Sequence, residues 1–394
     1  MLLFSPFGGR GNFESDTPFS TLESEARRLC HETLLLDTHI DVPYRLYERW
    51  EDVSRRTRTG EFDLERAREG GLNAAFLAIY VPASFVNPKA FEFAGNLIGM
   101  VEDIAADHPE LCIIGRTADD IETGFHDGRM VWVLGLENGS PIGQDVRVLS
   151  DFYARGIRYI TLTHAANNQI CDSSFDSTRR WHGLSPFGRR AVQEMNRLGM
   201  MVDVSHVSDE TFYEVLDISR SPVIASHSSC RSFTPGWERN LNDDMIRALA
   251  EQGGVVQVNF GSMFISGTYQ RACEVLFARL EQKGVTLGSP EAWAIRETWR
   301  KEFPLPQVTV SDVVDHIDHI VELAGIDHVG FGSDFDGVDG HLPEGLEDVS
   351  KYPALIGELL RRGYSKSDIQ QICAKNFLRV WRTVDDFGGR TGNG

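Results

Sequence analysis

The stretch LLLDTHIDVP, Leu34 to Pro43, has the form of a strand buried on both faces, an apolar run closed by a proline, yet it carries Asp37, His39 and Asp41. Ionisable groups in such a run need partners, because burying them alone is costly. The same form recurs in LNAAFLAIYV (72–81), MVWVLGLE (130–137), IRYITLTH (157–164), MMVDVSH (200–206), PVIASH (222–227), GVVQVNF (254–260) and HVGFGSD (328–334), which makes eight predicted strands.

Helical patterns separate most of them. Ser185-Pro186 supplies an N-cap and first-turn proline for Ala191, Val192, Met195 and Leu198, and Gly199 ends that helix. Ser208 is placed to cap a helix burying Phe212, Val215 and Leu216, and Ser311 one carrying Val313, Val314, Ile317, Ile320 and Val321. Eight strands alternating with helices predict an α/β fold, a (β/α)8 TIM barrel. Residues 261–307 break the rhythm as a helical insertion, expected over the active face as a lid, while helices at 353–362 and 365–380 close the ring. No linker marks a second domain, so 1–394 reads as one barrel domain.

Composition sets the outer limits. With 41% hydrophobic and 25% charged residues, 394 residues can bury a large core, and the formal net charge of −19 repels phosphate backbones and anionic membranes. Nucleic acid and membrane are therefore not expected partners. Arg55-Arg56, Arg58 and Arg179-Arg180 read as solvated loop charges. The six cysteines are scattered singly, as reduced thiols are. The opening MLLFSPFGGRGNFES lacks a signal-peptide core and no apolar run approaches the length of a membrane span, so a cytoplasmic location is the expectation.

The predicted strands stay apolar until their last residues, where His39, Asp41, Glu137, His164, His206, His227 and Asp334 collect. In barrel enzymes these C-terminal strand ends line the active face, so the groups are expected to converge on one pocket. His39 and Asp41 are two apart, which points both the same way along a strand. Imidazole with carboxylate suits zinc, and a shared carboxylate makes a two-metal centre with ions about 3.5–4 Å apart. Other patterns are set aside. His316 and His319 sit beside Asp315 and Asp318 on what reads as a solvated helix face; GFGSDFDG does not match the dinucleotide fingerprint; DFDGVDG lacks the spacing and closing Glu of a calcium loop.

These residues resemble the membrane dipeptidase (renal dipeptidase) family of zinc metallopeptidases, an offshoot of the amidohydrolase-type barrels. The resemblance runs through LLLDTHIDVP, GLENG, YITLTHAANN, MVDVSHVSDET, SPVIASHSSCRSF, ERNLNDDM, HVGFGSDFDGV and PEGLEDVSKYPALI, in that order. It implies two Zn2+ per chain, one held by His39 and Asp41, a second by His206 and His227, with Glu137 bridging, and a hydroxide between them as nucleophile. It further implies that Asp334 handles the proton, His164 contacts the substrate near the scissile carbonyl, and Arg239 grips the substrate carboxylate. The implied substrates are small dipeptides, including those with a C-terminal D-residue, and family analogy adds a homodimer. Thr38, Ile40 and Ser333 stand where the family often has Gly, Asn and Gly, and are expected to shape the pocket.

Another binuclear amidohydrolase-type barrel enzyme, acting on a small amide or lactam, is the alternative. Deaminase-type barrels usually open with His-x-His, where this chain has His39-Ile40-Asp41. Phosphotriesterase-type barrels usually bridge their metals with a modified lysine, and none of the six lysines falls at a predicted strand end. A barrel that kept its metals only to bind would normally have lost a ligand or an acid/base group, and none is missing.

Overall fold

A computed structural model describes residues 19–391 except 286–290, 292–294, 296, 297, 300, 303 and 304. The opening stretch 1–15 and much of the second half of the 261–307 insertion therefore lie outside the described residues. Among the described residues nine strands form: β1 (Leu36–Ile40), β2 (Ala74–Tyr80), β3 (Cys112–Ile114), β4 (Met130–Glu137), β5 (Ile157–Thr161), β6 (Met201–Asp203), β7 (Ile224–Ala225), β8 (Val255–Val258) and β9 (Val329–Phe331). All pairings are parallel, in the order β1-β2-β4-β5-β6-β7-β8-β9. The ring nearly closes where Asp41 N–H donates to Phe335 O (2.8 Å) and Asp334 N–H to His39 O (3.0 Å). The eight predicted strands are thus the eight staves of a barrel.

Local chemistry explains the elements. Val/Ile/Leu-rich runs buried along their length suit a parallel sheet covered on both faces. Ser185 and Ser208 accept from Gly188 N–H and Thr211 N–H as N-caps, and Gly199 ends its helix in the left-handed region at φ 76°. Leu36, Phe76, Tyr159, Met201, Ile224 and Val255 pack together with Phe377 and Trp381 of the C-terminal helix (Asn376–Thr391). That packing plugs one end of the barrel, which leaves the strand C-termini as the open end.

Several expectations are corrected. β3 was not foreseen; it pairs beside the first residues of β4. Thr309, not Ser311, is the N-cap of the helix Val310–Ala324, its N–H and hydroxyl both donating to Asp312 Oδ2. His316 is buried, not solvated, and bridges Cys230 N–H and Ile265 O. Arg179 is partly buried and paired with Glu238 and Glu210. The six cysteines are buried and form no disulfide. Helices Ser262–Ile265 and Gly267–Gln282 open the insertion. No helix among the described residues is long and apolar enough to cross a membrane.

Candidate active site

Six of the strands hand a polar residue to the open end. His39 lies within β1 and Asp41 just beyond it, at the start of the helix Val42–Glu48, whose first-turn proline turns the chain out of the sheet. Glu137 is the last residue of β4. His164, His206, His227 and Asp334 sit two or three residues past their strands, which end sooner than the sequence pattern indicated. The reason is conformational for two of them: His206 (φ 70°) and Asp334 (φ 64°) adopt the left-handed region, which no strand residue can hold. Such strain, on the order of 1–3 kcal/mol each, persists where the surroundings fix it, and at sites that use the aimed side chain.

The side chains converge. His39 Nε2 lies 3.4 Å from Asp41 Oδ2 and 3.5 Å from Glu137 Oε2. The other oxygen, Glu137 Oε1, lies 3.1 Å from His206 Nε2, 3.4 Å from His227 Nε2 and 3.8 Å from His164 Nε2. The rings of His39 and His227 stack at 3.7 Å. Asp334 Oδ2 accepts from Asn259 Nδ2 at 2.7 Å. Every one of these predicted groups except Arg239 is therefore in a single cluster around Glu137 or beside Asp41.

Arg239 is placed differently. It is buried beneath the Phe264 ring, 5.0 Å away, and spends Nη1 on Ser228 Oγ and Nη2 on the His227 carbonyl, while its Nε has no hydrogen-bond partner. Thr38 and Ser333 also face inward. Thr38 Oγ1 donates to Ser226 O (2.6 Å) and Phe331 O (3.1 Å), and Ser333 N–H donates to Asp37 Oδ1, so they tie the barrel's closure and do not form the pocket wall. Asp37 also accepts from His39 N–H and from the Tyr352 hydroxyl, which makes it a structural partner of the strand ends.

Electrostatics bear on what the cluster can hold. Burial, then the Glu137 charge, pushes the Asp41 carboxyl well above the usual range, and Asp334 rises for the same causes. Burial also acts upward on Glu137, but His39, His164, His206 and His227 outweigh it and hold its carboxyl well below the usual range. His206 and His227 are driven well below the ordinary imidazole value, by burial first and then by neighbouring cationic groups. Two neutral imidazoles therefore face one carboxylate oxygen, with their Nε2 atoms 2.8 Å apart. His39 Nε2 is buried without a hydrogen-bond partner, aimed at two carboxylates. Nitrogen and oxygen donors so arranged fit divalent cations of the zinc type.

A cavity of about 540 Å³ opens above the cluster. Tyr44 and Tyr80 stand on one side, and Phe175, Trp237, Phe264 and Phe277 bring aromatic surface to it, the last two from the insertion and its approach. Gly337 keeps the floor open: a Cβ there would lie 2.3 Å from Asp334 Oδ1 and 2.4 Å from Asp41 Oδ2. Sequence reasoning missed Asn259 and Gly337. Asn259 is next to last in a predicted strand, close to the signal that marked the others; Gly337 gives none without the loop's path.

Comparison with known proteins is consistent across sequence and structure. The family model for Membrane dipeptidase (Peptidase family M19) matches residues 23–393. An uncharacterised dipeptidase of Schizosaccharomyces pombe is 33% identical over 387 residues, 93% of this chain and 85% of that one. Among solved structures, the probable dipeptidase PvdM of Pseudomonas aeruginosa superposes with TM-score 0.81 at 27% identity, covering 94% of this chain and all of that one. A metallopeptidase of Rhodobacter sphaeroides, liganded with a phosphinate mimic of L-Ala-D-Ala, gives TM-score 0.75 at 25% identity over 89% of this chain and 99% of that one.

Proposed function

Because the chain belongs to the membrane dipeptidase family and is a metallopeptidase acting on dipeptides, we propose that it works with two zinc ions and accepts a D-residue at the C-terminal position. The single observation that carries the metal reading is the placement of His39, Asp41, His206 and His227 around the two oxygens of Glu137. His39 and Asp41 would hold one ion, His206 and His227 the other, with Glu137 between. When bound, such ions supply a nucleophile at neutral pH and a Lewis acid for the scissile carbonyl.

The chain's own groups do the rest. Asp334, held by Asn259 at Oδ2 and raised in pKa by burial, is the group that passes a proton to the leaving amine. His164, its ring packed edge-on against Tyr80 at 4.8 Å, presents Nε2 toward the carbonyl oxygen. Arg239 is the buried cation that answers the substrate carboxylate; the two bonds of its Nη atoms fix the guanidinium in position. Aromatic walls exclude water from the reacting bond. Acceptance of a D-residue is supported by the bound L-Ala-D-Ala mimic in the Rhodobacter sphaeroides relative.

Metal analysis of purified protein should find about two zinc ions per chain, with hydrolysis of L-X-L-X and L-X-D-X dipeptides that chelation abolishes. A fully zinc-loaded sample inert toward the whole panel would overturn the reading.

A further inference from the structure

Resting on the metal reading above, we infer that Tyr159, Ser226 and Asp203 are positioning residues that lock His39 and His227 in the tautomer whose Nε2 lone pair faces the ions. The Ser226 hydroxyl donates to Asp203 Oδ2 at 2.6 Å and stands 2.8 Å from His227 Nδ1. A hydroxyl has one hydrogen, and Asp203 is an acceptor throughout: its two oxygens also take Thr161 Oγ1, Ser205 N–H and Ser226 N–H. Ser226 must therefore accept from His227, which places the proton on Nδ1 and frees Nε2.

The second relay has the same polarity. Tyr159 O–H donates to the Thr38 carbonyl at 3.0 Å and stands 2.8 Å from His39 Nδ1. A carbonyl cannot return a hydrogen, so His39 Nδ1 is again the donor, and Nε2 is the atom left to face an ion. Gly135 makes room for this arrangement, since a Cβ there would fall 2.1 Å from the Tyr159 ring. His206 Nδ1 has no partner of this kind among the described residues, which sets His39 and His227 apart as the two pre-oriented imidazoles. Outer partners of this sort commonly decide ring orientation and ligand strength at metal sites.

The test separates orientation from packing. Asp203→Asn turns a carboxylate oxygen into an N–H2 that donates to Ser226, reversing the relay and driving the His227 proton to Nε2. Ser226→Ala removes the relay; Ser226→Thr restores the hydroxyl. Zinc affinity is read by competition with a chromophoric chelator, thermal midpoints are taken on the zinc-free protein, and the histidine tautomers are read from ring 15N shifts.

The expected result is about 10- to 100-fold weaker binding of one zinc in Ser226→Ala and Asp203→Asn, recovery in Ser226→Thr, and an Nε2–H signal in zinc-free Asp203→Asn. Tyr159→Phe should weaken the ion on the His39 side alone. Should Asp203→Asn fail to fold, Ser226→Ala and its Thr rescue decide the matter. Wild-type affinity for both ions in Ser226→Ala, or a loss that Thr does not restore, overturns the relay. Wild-type protein that binds no zinc overturns the metal reading itself, and the relay with it.

Discussion

Gly337 stands where any side chain would intrude between Asp41 and Asp334, at 2.4 and 2.3 Å. Gly337→Ala should therefore cost metal affinity and turnover while leaving the thermal midpoint of the zinc-free protein within about a degree, since the collision is with the site and not with the core. A parallel drop in both would show that the loop, not the carboxylates, is disturbed. Asp334→Asn addresses the neighbouring group. It preserves the bond with Asn259 in shape but removes the proton carrier, so kcat should fall by about 10²–10⁴-fold with KM little changed. A loss confined to KM would move the acid role elsewhere. Glu137→Gln is a harsher change: it replaces one of the two oxygens that face the imidazoles with a donor, so both zinc content and activity should be lost.

The C-terminal helix Asn376–Thr391 plugs the closed end of the barrel and carries a titratable weakness. Burial, opposed by Arg158, raises the Asp385 carboxyl from 3.8 to about 6, and its Oδ1 finds no hydrogen-bond partner. An acid whose pKa is higher folded than unfolded binds protons more tightly in the native state, so stability is greatest below about pH 4 for this group and is lost as pH rises through about 6. The loss is about 1–2 kcal/mol, less than the full shift because the group is partly solvated. Asp385→Asn should raise the thermal midpoint at pH 8 by a degree or more and leave it unchanged near pH 4; an equal effect at both would refute the titration.

At this element scale the sequence was legible where burial is continuous. Runs such as MVWVLGLE mark barrel strands because both faces are covered, and the polar residue ending each run marks the open end. β3 escaped because Cys112–Ile114 is too short to show a period. His316 was misread because a histidine beside acidic neighbours looks solvated until another segment, here Cys230 and Ile265, packs over it. Tyr159, Asp203 and Ser226 sit in plain view inside predicted strands, yet their meaning lies in which strand faces which, and that exists only once the barrel closes.

The whole molecule carries a formal charge of −19, and the mouth of its cavity shares that sign. Glu48 and Asp339 line it, while Asp336, its side chain buried, and Arg45 offset each other as an ion pair at 3.2 Å. A cleft of one sign between low-dielectric walls concentrates the opposite charge and slows entry of its own. Dipeptides with a cationic side chain should therefore show a higher kcat/KM than acidic dipeptides of similar size, through faster capture and not faster chemistry. The ratio should shrink between about 20 and about 200 mM salt, as the screening length contracts, and Glu48→Gln should reduce it further at low salt while leaving kcat for a neutral dipeptide in place. Equal, salt-independent turnover of Lys-Ala and Glu-Ala would show that selection rests on the aromatic walls, with the field of the chain playing no part.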